Sequence, residues 1–232
     1  MKTLVIIPAF NEQDNIQRVV DNLVQNYPQF DYVIVNDGSR DKTSSICHAN
    51  GYNIIDLPVN LGLAGAFQTG LKYARNAGYD RAIQFDADGQ HLPRYIQPMI
   101  DCMEREGCDI VIGSRFVTEK KPKTLRMMGS YLIAFAMWLT TGKALTDPTS
   151  GMRLFDREMI EEFAGDANYT PEPDTVSYLM KNGAEVREIQ VEMAERIAGE
   201  SYLNMTNAIK YMIRMGFSII LIQWFRKRKG RA

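Results

Sequence analysis

The sequence predicts an α/β fold, a mostly parallel sheet with helices on both faces. Three observations predict it. Short apolar runs such as Leu4-Val5-Ile6-Ile7 and Val33-Ile34-Val35 are continuous rather than alternating, as in strands buried on both sides. Segments with apolar residues at helical spacing separate these runs. Polar, Gly-rich residues gather just after the runs, at Asn11-Glu12, Asp37-Gly38-Ser39 and Asp86 to Gln90. In open α/β sheets ligands bind beyond the carboxyl ends of the strands.

The elements follow in order. Leu4 to Ile7 reads as a buried strand that stops at Pro8, and Ile16, Val19, Val20 and Leu23 mark a helix. Val33 to Val35 is the next strand, ending at the turn Asn36-Asp37-Gly38-Ser39. A helix starts near Asp41, Asn53 to Leu57 is a strand, and Ala64 to Ala74 is helical. Ala82 to Phe85 is a strand, Pro93 to Met103 a helix and Asp109 to Ile112 a strand. The second half is less regular. Leu125 to Leu139 is a helix rich in Met, Phe and Trp, and Thr149-Ser150-Gly151 breaks the pattern before Met152-Arg153-Leu154-Phe155. Val186 to Val191 is a short strand, and Tyr202 to Phe225 a helix whose apolar residues widen to nearly all faces. Residues 1–200 are expected to form one domain, and 201–232 an amphipathic helix with a basic tail.

With 232 residues, 45% hydrophobic and 24% charged, the chain can bury a real core. A net charge of -1 and a pI near 6.2 give no global sign of nucleic-acid binding. The charge is locally uneven, because the C-terminus reads Arg226-Lys227-Arg228-Lys229-Gly230-Arg231, a cluster that suits a solvated tail, a nucleic-acid patch or a lure for anionic lipid. Cys47, Cys102 and Cys108 have no C-x-x-C spacing, which argues against a disulfide framework or structural zinc and for a reducing compartment. Met1-Lys2-Thr3 runs straight into a strand, so no signal peptide is expected. No stretch reaches the ~20 apolar residues of a membrane span. A cytoplasmic protein, at most peripheral on the inner face of the membrane, is expected.

The most informative motif is Asp86-Ala87-Asp88-Gly89-Gln90-His91, directly after the run ending at Phe85. Carboxylates two residues apart on an extended chain point to the same side. They offer hard oxygen ligands to Mg²⁺ or Mn²⁺, which keep positions open for substrate phosphates. The motif therefore suggests a metal–diphosphate site; a surface loop with two solvated aspartates is the plain alternative.

Four blocks together resemble the family 2 inverting glycosyltransferases, which have the nucleotide-diphospho-sugar transferase (GT-A) fold. They are Ile7-Pro8-Ala9-Phe10-Asn11-Glu12; Val35-Asn36-Asp37-Gly38-Ser39 with Asp41 and Thr43; Asn60 to Ala66 with Gly70; and Asp86 to His91. Further blocks resemble the polyprenyl-phosphate sugar transferases of the dolichol-phosphate mannose synthase group. These are Gly113-Ser114-Arg115, Arg126 with Ser130, Asp147 to Arg153, and Arg196 to Ser201. The chain has Gly129-Ser130-Tyr131 where that group usually has Gly-Ala-Asn, and lacks the two C-terminal transmembrane hairpins of many bacterial members.

The resemblance implies transfer of a sugar from a nucleotide-diphospho-sugar to a polyprenyl phosphate such as undecaprenyl phosphate, with inversion. A UDP-sugar is the favoured donor and GDP-mannose the other. It implies a divalent cation, Mg²⁺ or Mn²⁺, on Asp88 with Asp86 and Gln90 completing its shell. Pro8, Ala9, Glu12 and Asp37 would line the nucleotide pocket, although Asp37 also suits a turn and Glu12 a loop cap. A lipid phosphate, with a second pKa near ~6, needs cations to hold it more than a base to activate it. Arg115 and Arg126, with Arg196 as a third, are the candidates, against ordinary surface salt bridges. Asp174 is a candidate base or a helix cap, His91 a positioning group or a helix-start residue, and Arg153 structural. The helix 125–139 and the C-terminal helix suit either the core or a membrane surface. A small membrane-protein partner or self-association is also expected.

Three other readings compete. The first uses the same donor with a saccharide hydroxyl acceptor, as in cell-wall or capsule polymer synthesis, and would need a base such as Asp174. Nucleotidyl transfer would want a basic Gly-rich loop, but Pro8 to Asp14 has no Lys or Arg. The third is a non-enzymatic sugar-nucleotide sensor.

Overall fold

The structure is a computed structural model. It describes residues 1–122, 124–165, 172–195 and 205–222, and leaves out the side chains of residues 125, 126, 205–210 and 222. Seven strands form one sheet: β1 (Thr3–Ala9), β2 (Asp31–Asn36), β3 (Ile54–Asp56), β4 (Arg81–Gln84), β5 (Ile110–Ser114), β6 (Arg153–Asp156) and β7 (Val186–Gln190). Their order is β3-β2-β1-β4-β6-β5-β7, with β6 antiparallel to both its neighbours and every other pairing parallel.

Each apolar run is continuous because each strand is covered twice. Leu4 and Ile6 of β1 face one core while Val5 and Ile7 face the other, and Ile110 and Ile112 of β5 oppose Val111 in the same way. On one face lie α1 (Ile16–Asn26), α2 (Thr43–Ala49) and α4 (Ile96–Glu106). On the other lie α3 (Gly62–Asn76), α5 (Leu125–Thr141), α6 (Arg157–Gly165), α7 (Pro173–Lys181) and α8 (Met205–Phe217). Helix α8 continues as a π turn over Ser218–Ile222 and packs on α5 and α7.

Two expectations need correction. Pro8 does not stop β1: the strand runs to Ala9, with Pro8 opposite Val35. In this parallel ladder Ile6 O accepts from Phe85 N and Ala9 O from Asp37 N, so residue 8 points toward β4. β4 ends at Gln84, opposite Ile6, so the missing N–H of Pro8 breaks no ladder bond. The second correction is β6, where the sequence showed only a broken pattern. It is a fully inserted strand, Gln84 and Ile112 flanking Arg153 on either side.

Helix α5 buries Ile133 and Met137, α8 buries Met215, and the π turn after it buries Ile219. Their outer faces stay uncovered: Leu132, Phe135, Leu139, Ile213, Phe217 and Leu221 are each more than half exposed. Among the described residues no helix is long and apolar enough to cross a membrane.

Candidate functional site

The sheet order reverses at β1, with β2 and β3 to one side and β4 to the other. That switch point opens a crevice at the carboxyl ends of β1, β2 and β4, where Ala9, Asp37 and Asp86 emerge. Because β6 runs against its neighbours, the loop Asp147–Gly151 that feeds it reaches the same edge.

The first two loops are laced together. Asn11 is at φ 57, the left-handed region that Asn tolerates better than most side chains. There its N–H reaches Ser39 Oγ at 3.0 Å and its Oδ1 takes the Arg40 N–H at 2.8 Å. Glu12 N donates to Thr43 Oγ1 at 2.9 Å, and Thr43 N to Asp41 Oδ1 at 2.9 Å. The Glu12 carboxylate accepts from Asn15 Nδ2 at 2.9 Å, and its carbonyl accepts from Asn15 N and Ile16 N at the start of α1. Asp37 is 3% exposed; its N–H binds Ala9 O at 2.8 Å and its Oδ1 takes the Leu61 N–H at 2.7 Å. One residue thus ties the first, second and third sequence blocks together, through its backbone N–H and its carboxylate. At Gly38, φ is 66 and a Cβ would stand 2.9 Å from Asn60 N, so only glycine lets these loops approach.

The metal motif sits in the next loop. Asp88 is 5% exposed and its Oδ1 accepts the Gln90 N–H at 2.9 Å. Asp86 N donates to His91 Nδ1 at 2.9 Å, so Nδ1 is the acceptor and the ring proton is on Nε2. Nε2 lies 3.5 Å from Asp86 Oδ2, and the buried ring stands edge-on to Phe85. His91 therefore fixes the Asp86 backbone and stands beside its carboxylate. Gln90 is half-buried, its carbonyl accepting from Ala194 N at 2.9 Å.

These residues fit a hard divalent cation. A Cβ on Gly151 would lie 3.1 Å from Asp86 Oδ2 and 3.4 Å from His91 Cε1, so the glycine keeps the carboxylate face clear. Among the described residues no three His, Cys, Asp or Glu converge as a complete cage. Two carboxylates that leave the other positions to diphosphate oxygens and water are the usual arrangement for Mg²⁺, and suit Mn²⁺. Asp86 and Asp88 would hold the ion.

Across the Asp147–Gly151 loop lies Arg115. Its guanidinium grips Asp147 with both prongs, Nε to Oδ2 at 2.7 Å and Nη2 to Oδ1 at 3.0 Å. Asp147 is fully buried. Its N–H and that of Thr146 both bind the Glu188 carboxylate, at 2.8 and 2.6 Å. The loop is pinned from below by Arg153, 2% exposed, which donates to Pro148 O at 2.7 Å; burial pushes this guanidinium below its ordinary pKa. Arg153 is structural, as the sequence suggests.

The structure thus brings Pro8, Ala9, Glu12, Asp37, Asp86, Asp88, Gln90 and Arg115 to one edge. Arg126 opens α5 from the same side, with its side chain outside the description, and Arg196 lies outside the described residues. Asp174 has other partners: Oδ1 takes the Thr175 N–H at 2.8 Å and Oδ2 accepts from Ser218 Oγ at 2.6 Å on the π turn. Nor does it cap α7, since Glu172 holds the N-cap position and Asp174 sits in the first turn. Burial, and then Asp174, push the Glu172 carboxyl above its usual range. Asp147 and Gly151 are the site residues that sequence reasoning underused; their signal was the Asp-Pro-Thr-Ser-Gly cluster.

The family model for "Glycosyl transferase family 2" matches residues 4–163. A polyprenol monophosphomannose synthase from Mycolicibacterium smegmatis is 27% identical over 227 residues, 92% of this chain and 85% of that one. A UDP-N-acetylglucosamine–dolichyl-phosphate N-acetylglucosaminyltransferase from Methanococcus voltae is 34% identical over 177 residues, 68% of this chain and 70% of that one. Among solved structures, glucosyl-3-phosphoglycerate synthase from Mycobacterium tuberculosis, in complex with Mn²⁺, UDP and phosphoglyceric acid, superposes with a TM-score of 0.69. That match is 17% identical and covers 99% of this chain and 80% of that one, a likeness of fold. The sheet is that of the GT-A fold, and the chain belongs to glycosyl transferase family 2.

Proposed function

We propose that the protein transfers a sugar, with inversion, from a nucleotide-diphospho-sugar to a polyprenyl phosphate at a membrane surface. The observation that carries this reading is a juxtaposition. The Asp86–Asp88 loop and the Arg115 region stand on either side of the Asp147–Gly151 loop, and α5, whose Ser130 meets Thr149 of that loop, presents an uncovered apolar face. A lipid phosphate needs such a pairing, cations for its head next to a surface compatible with its tail and its membrane. Relatives named for mannosyl and N-acetylglucosaminyl transfer to polyprenyl phosphates support the same class.

In this reading Asp37 and Glu12 accept hydrogen bonds from the nucleoside, and Pro8 and Ala9 form the floor of its pocket. Asp86 and Asp88 hold Mg²⁺ or Mn²⁺, which when bound supplies charge neutralisation for the departing nucleoside diphosphate. Arg115, Arg126 and Arg196 orient the acceptor phosphate, whose oxygen is already ionised and needs no base. The engagement of Asp174 with Ser218 fits a mechanism that does not call on it.

The test is nucleoside-diphosphate release by purified protein with Mg²⁺ or Mn²⁺. It is run over UDP-glucose, UDP-N-acetylglucosamine and GDP-mannose, with and without undecaprenyl phosphate. Release that requires one donor, the metal and the lipid, and that Asp88→Asn abolishes, is expected. Equal turnover without lipid, or with a saccharide in its place, would sink the lipid-phosphate reading.

A further inference from the structure

Arg115 shares its surroundings with a second cation. Lys121, in the segment between β5 and α5, donates from Nζ to Ser130 Oγ at 2.7 Å and to the Thr146 carbonyl at 3.0 Å. Its ammonium lies 4.7 Å from the Tyr131 ring centroid and 5.3 Å from that of Phe116. The Arg115 guanidinium sits 5.1 Å from the same Phe116 ring, so one aromatic side chain gathers both cations. Hydroxyls close the circuit: Ser130 Oγ is 3.2 Å from Thr149 Oγ1, and Thr149 Oγ1 donates to Asp147 Oδ1 at 3.1 Å.

The two cations are held differently. Arg115 is bound to a fully buried carboxylate, and moving it would strand that charge, which is costly. The hydrogen bonds of Lys121 go to neutral oxygens. Burial beneath the rings pushes its ammonium below the ordinary lysine pKa; Asp147 opposes that shift and Arg115 adds to it. A partly desolvated ammonium on neutral acceptors gains when a doubly charged anion replaces one of them, because it then meets an opposite charge rather than a dipole, where solvent screening is reduced. Its position suits such an anion. Ser130 reaches Thr149, and Thr149 belongs to the loop whose Gly151 end lies against Asp86.

We propose that Lys121 Nζ, beside Ser130 Oγ, is a binding contact for the acceptor phosphate, exchanging a neutral oxygen for a phosphate oxygen while Arg115 stays on Asp147. This assignment rests on the polyprenyl-phosphate reading, and its test separates the two. Farnesyl phosphate is the probe, farnesol the uncharged control, and binding is measured by calorimetry on the full chain. UDP or GDP with Mn²⁺, whichever the wild type binds, reports whether the donor site is intact.

Lys121→Met is expected to weaken farnesyl phosphate binding by about tenfold or more, the loss of one charge-assisted contact. Farnesol and nucleotide binding stay as in wild type, and Lys121→Arg restores most of the loss. In turnover the same change appears in KM for the lipid and not in kcat. If wild type and Lys121→Met bind farnesyl phosphate equally, Lys121 is not a contact and the acceptor class still stands. A Lys121→Met protein that loses nucleotide binding as well would make the residue structural and overturn the assignment. A wild type that binds nucleotide but no farnesyl phosphate overturns the acceptor reading and this assignment with it.

Discussion

Arg115 and Asp147 form a pair whose value depends on burial. Asp147 is fully buried, and the Arg115 side chain is 28% exposed. Removing the arginine leaves a buried carboxylate without its counter-charge, a change that costs about 3–5 kcal/mol in comparable pairs. Arg115→Met is therefore expected to lower unfolding free energy by about that amount in urea titration, and Arg115→Lys by less, because lysine keeps the charge but not the fork. A melt indistinguishable from wild type would mean that Glu188 and the loop hold Asp147 without it. A second carboxyl gives a pH signature. Burial pushes Asp156 from 3.8 up to about 6, so the folded state holds this proton more tightly than the unfolded chain. Its contribution to stability is complete below 3.8 and is lost as pH rises through about 6. Asp156→Asn removes the ionisation and keeps an oxygen for the Met159 N–H, now bound at 2.8 Å. The variant should match wild type in acid and exceed it above pH ~6, by about 1 kcal/mol for a group still partly screened by water. A stability difference that does not change across that pH would contradict this.

Elements were legible where chemistry is local. The helix of Ile16, Val19, Val20 and Leu23 buries those four residues, and the strands before Asp37 and Asp86 end where the polar loops begin. Strand β6 was not legible, because four residues in the middle of a sheet carry no period of their own and lie opposite partners far away in sequence. The same holds for parts of the site. Asp86 and Asp88 announce themselves by spacing, whereas Gly151 and Lys121 acquire a role only when β6 carries its loop to the edge of β4 and β5. Glycine inside a helix is read as a weakness, about 1 kcal/mol worse than alanine. At Gly70 packing reverses that sign, since a Cβ would stand 2.3 Å from Ile6 Cγ2 where α3 crosses β1. Gly70→Ala is expected to destabilise by about 1–3 kcal/mol despite its better helix propensity. A rise in melting temperature would show that α3 can move off the sheet freely.

At the scale of the whole molecule the two sides of the sheet differ in what lies outside them. The α1, α2 and α4 side ends in polar helix surfaces, with an exposed groove along α1 formed by Gln13, Gln17, Asp21 and Gln25. The α5 and α8 side ends in Leu132, Phe135, Phe217 and Leu221, each more than half exposed, and the basic run 226–231 follows α8 in sequence. Apolar side chains exposed on two neighbouring helices, with a run of cations following in the sequence, match a monolayer of anionic lipid better than they match water. Vesicles containing phosphatidylglycerol should therefore carry the protein on flotation, less so at high salt, where the electrostatic share is screened. Leu132→Asp with Phe217→Asp should weaken that binding by about tenfold or more, since burying one such side chain contributes ~1.5–3 kcal/mol. Both positions are exposed, so melting temperature and nucleoside-diphosphate binding should stay as in wild type. Loss of turnover with vesicle-borne undecaprenyl phosphate, but not with a soluble short-chain phosphate, would place the defect in reaching the membrane rather than in chemistry. Undiminished flotation of the double variant would assign membrane contact to another surface and leave the α5–α8 face to a protein partner.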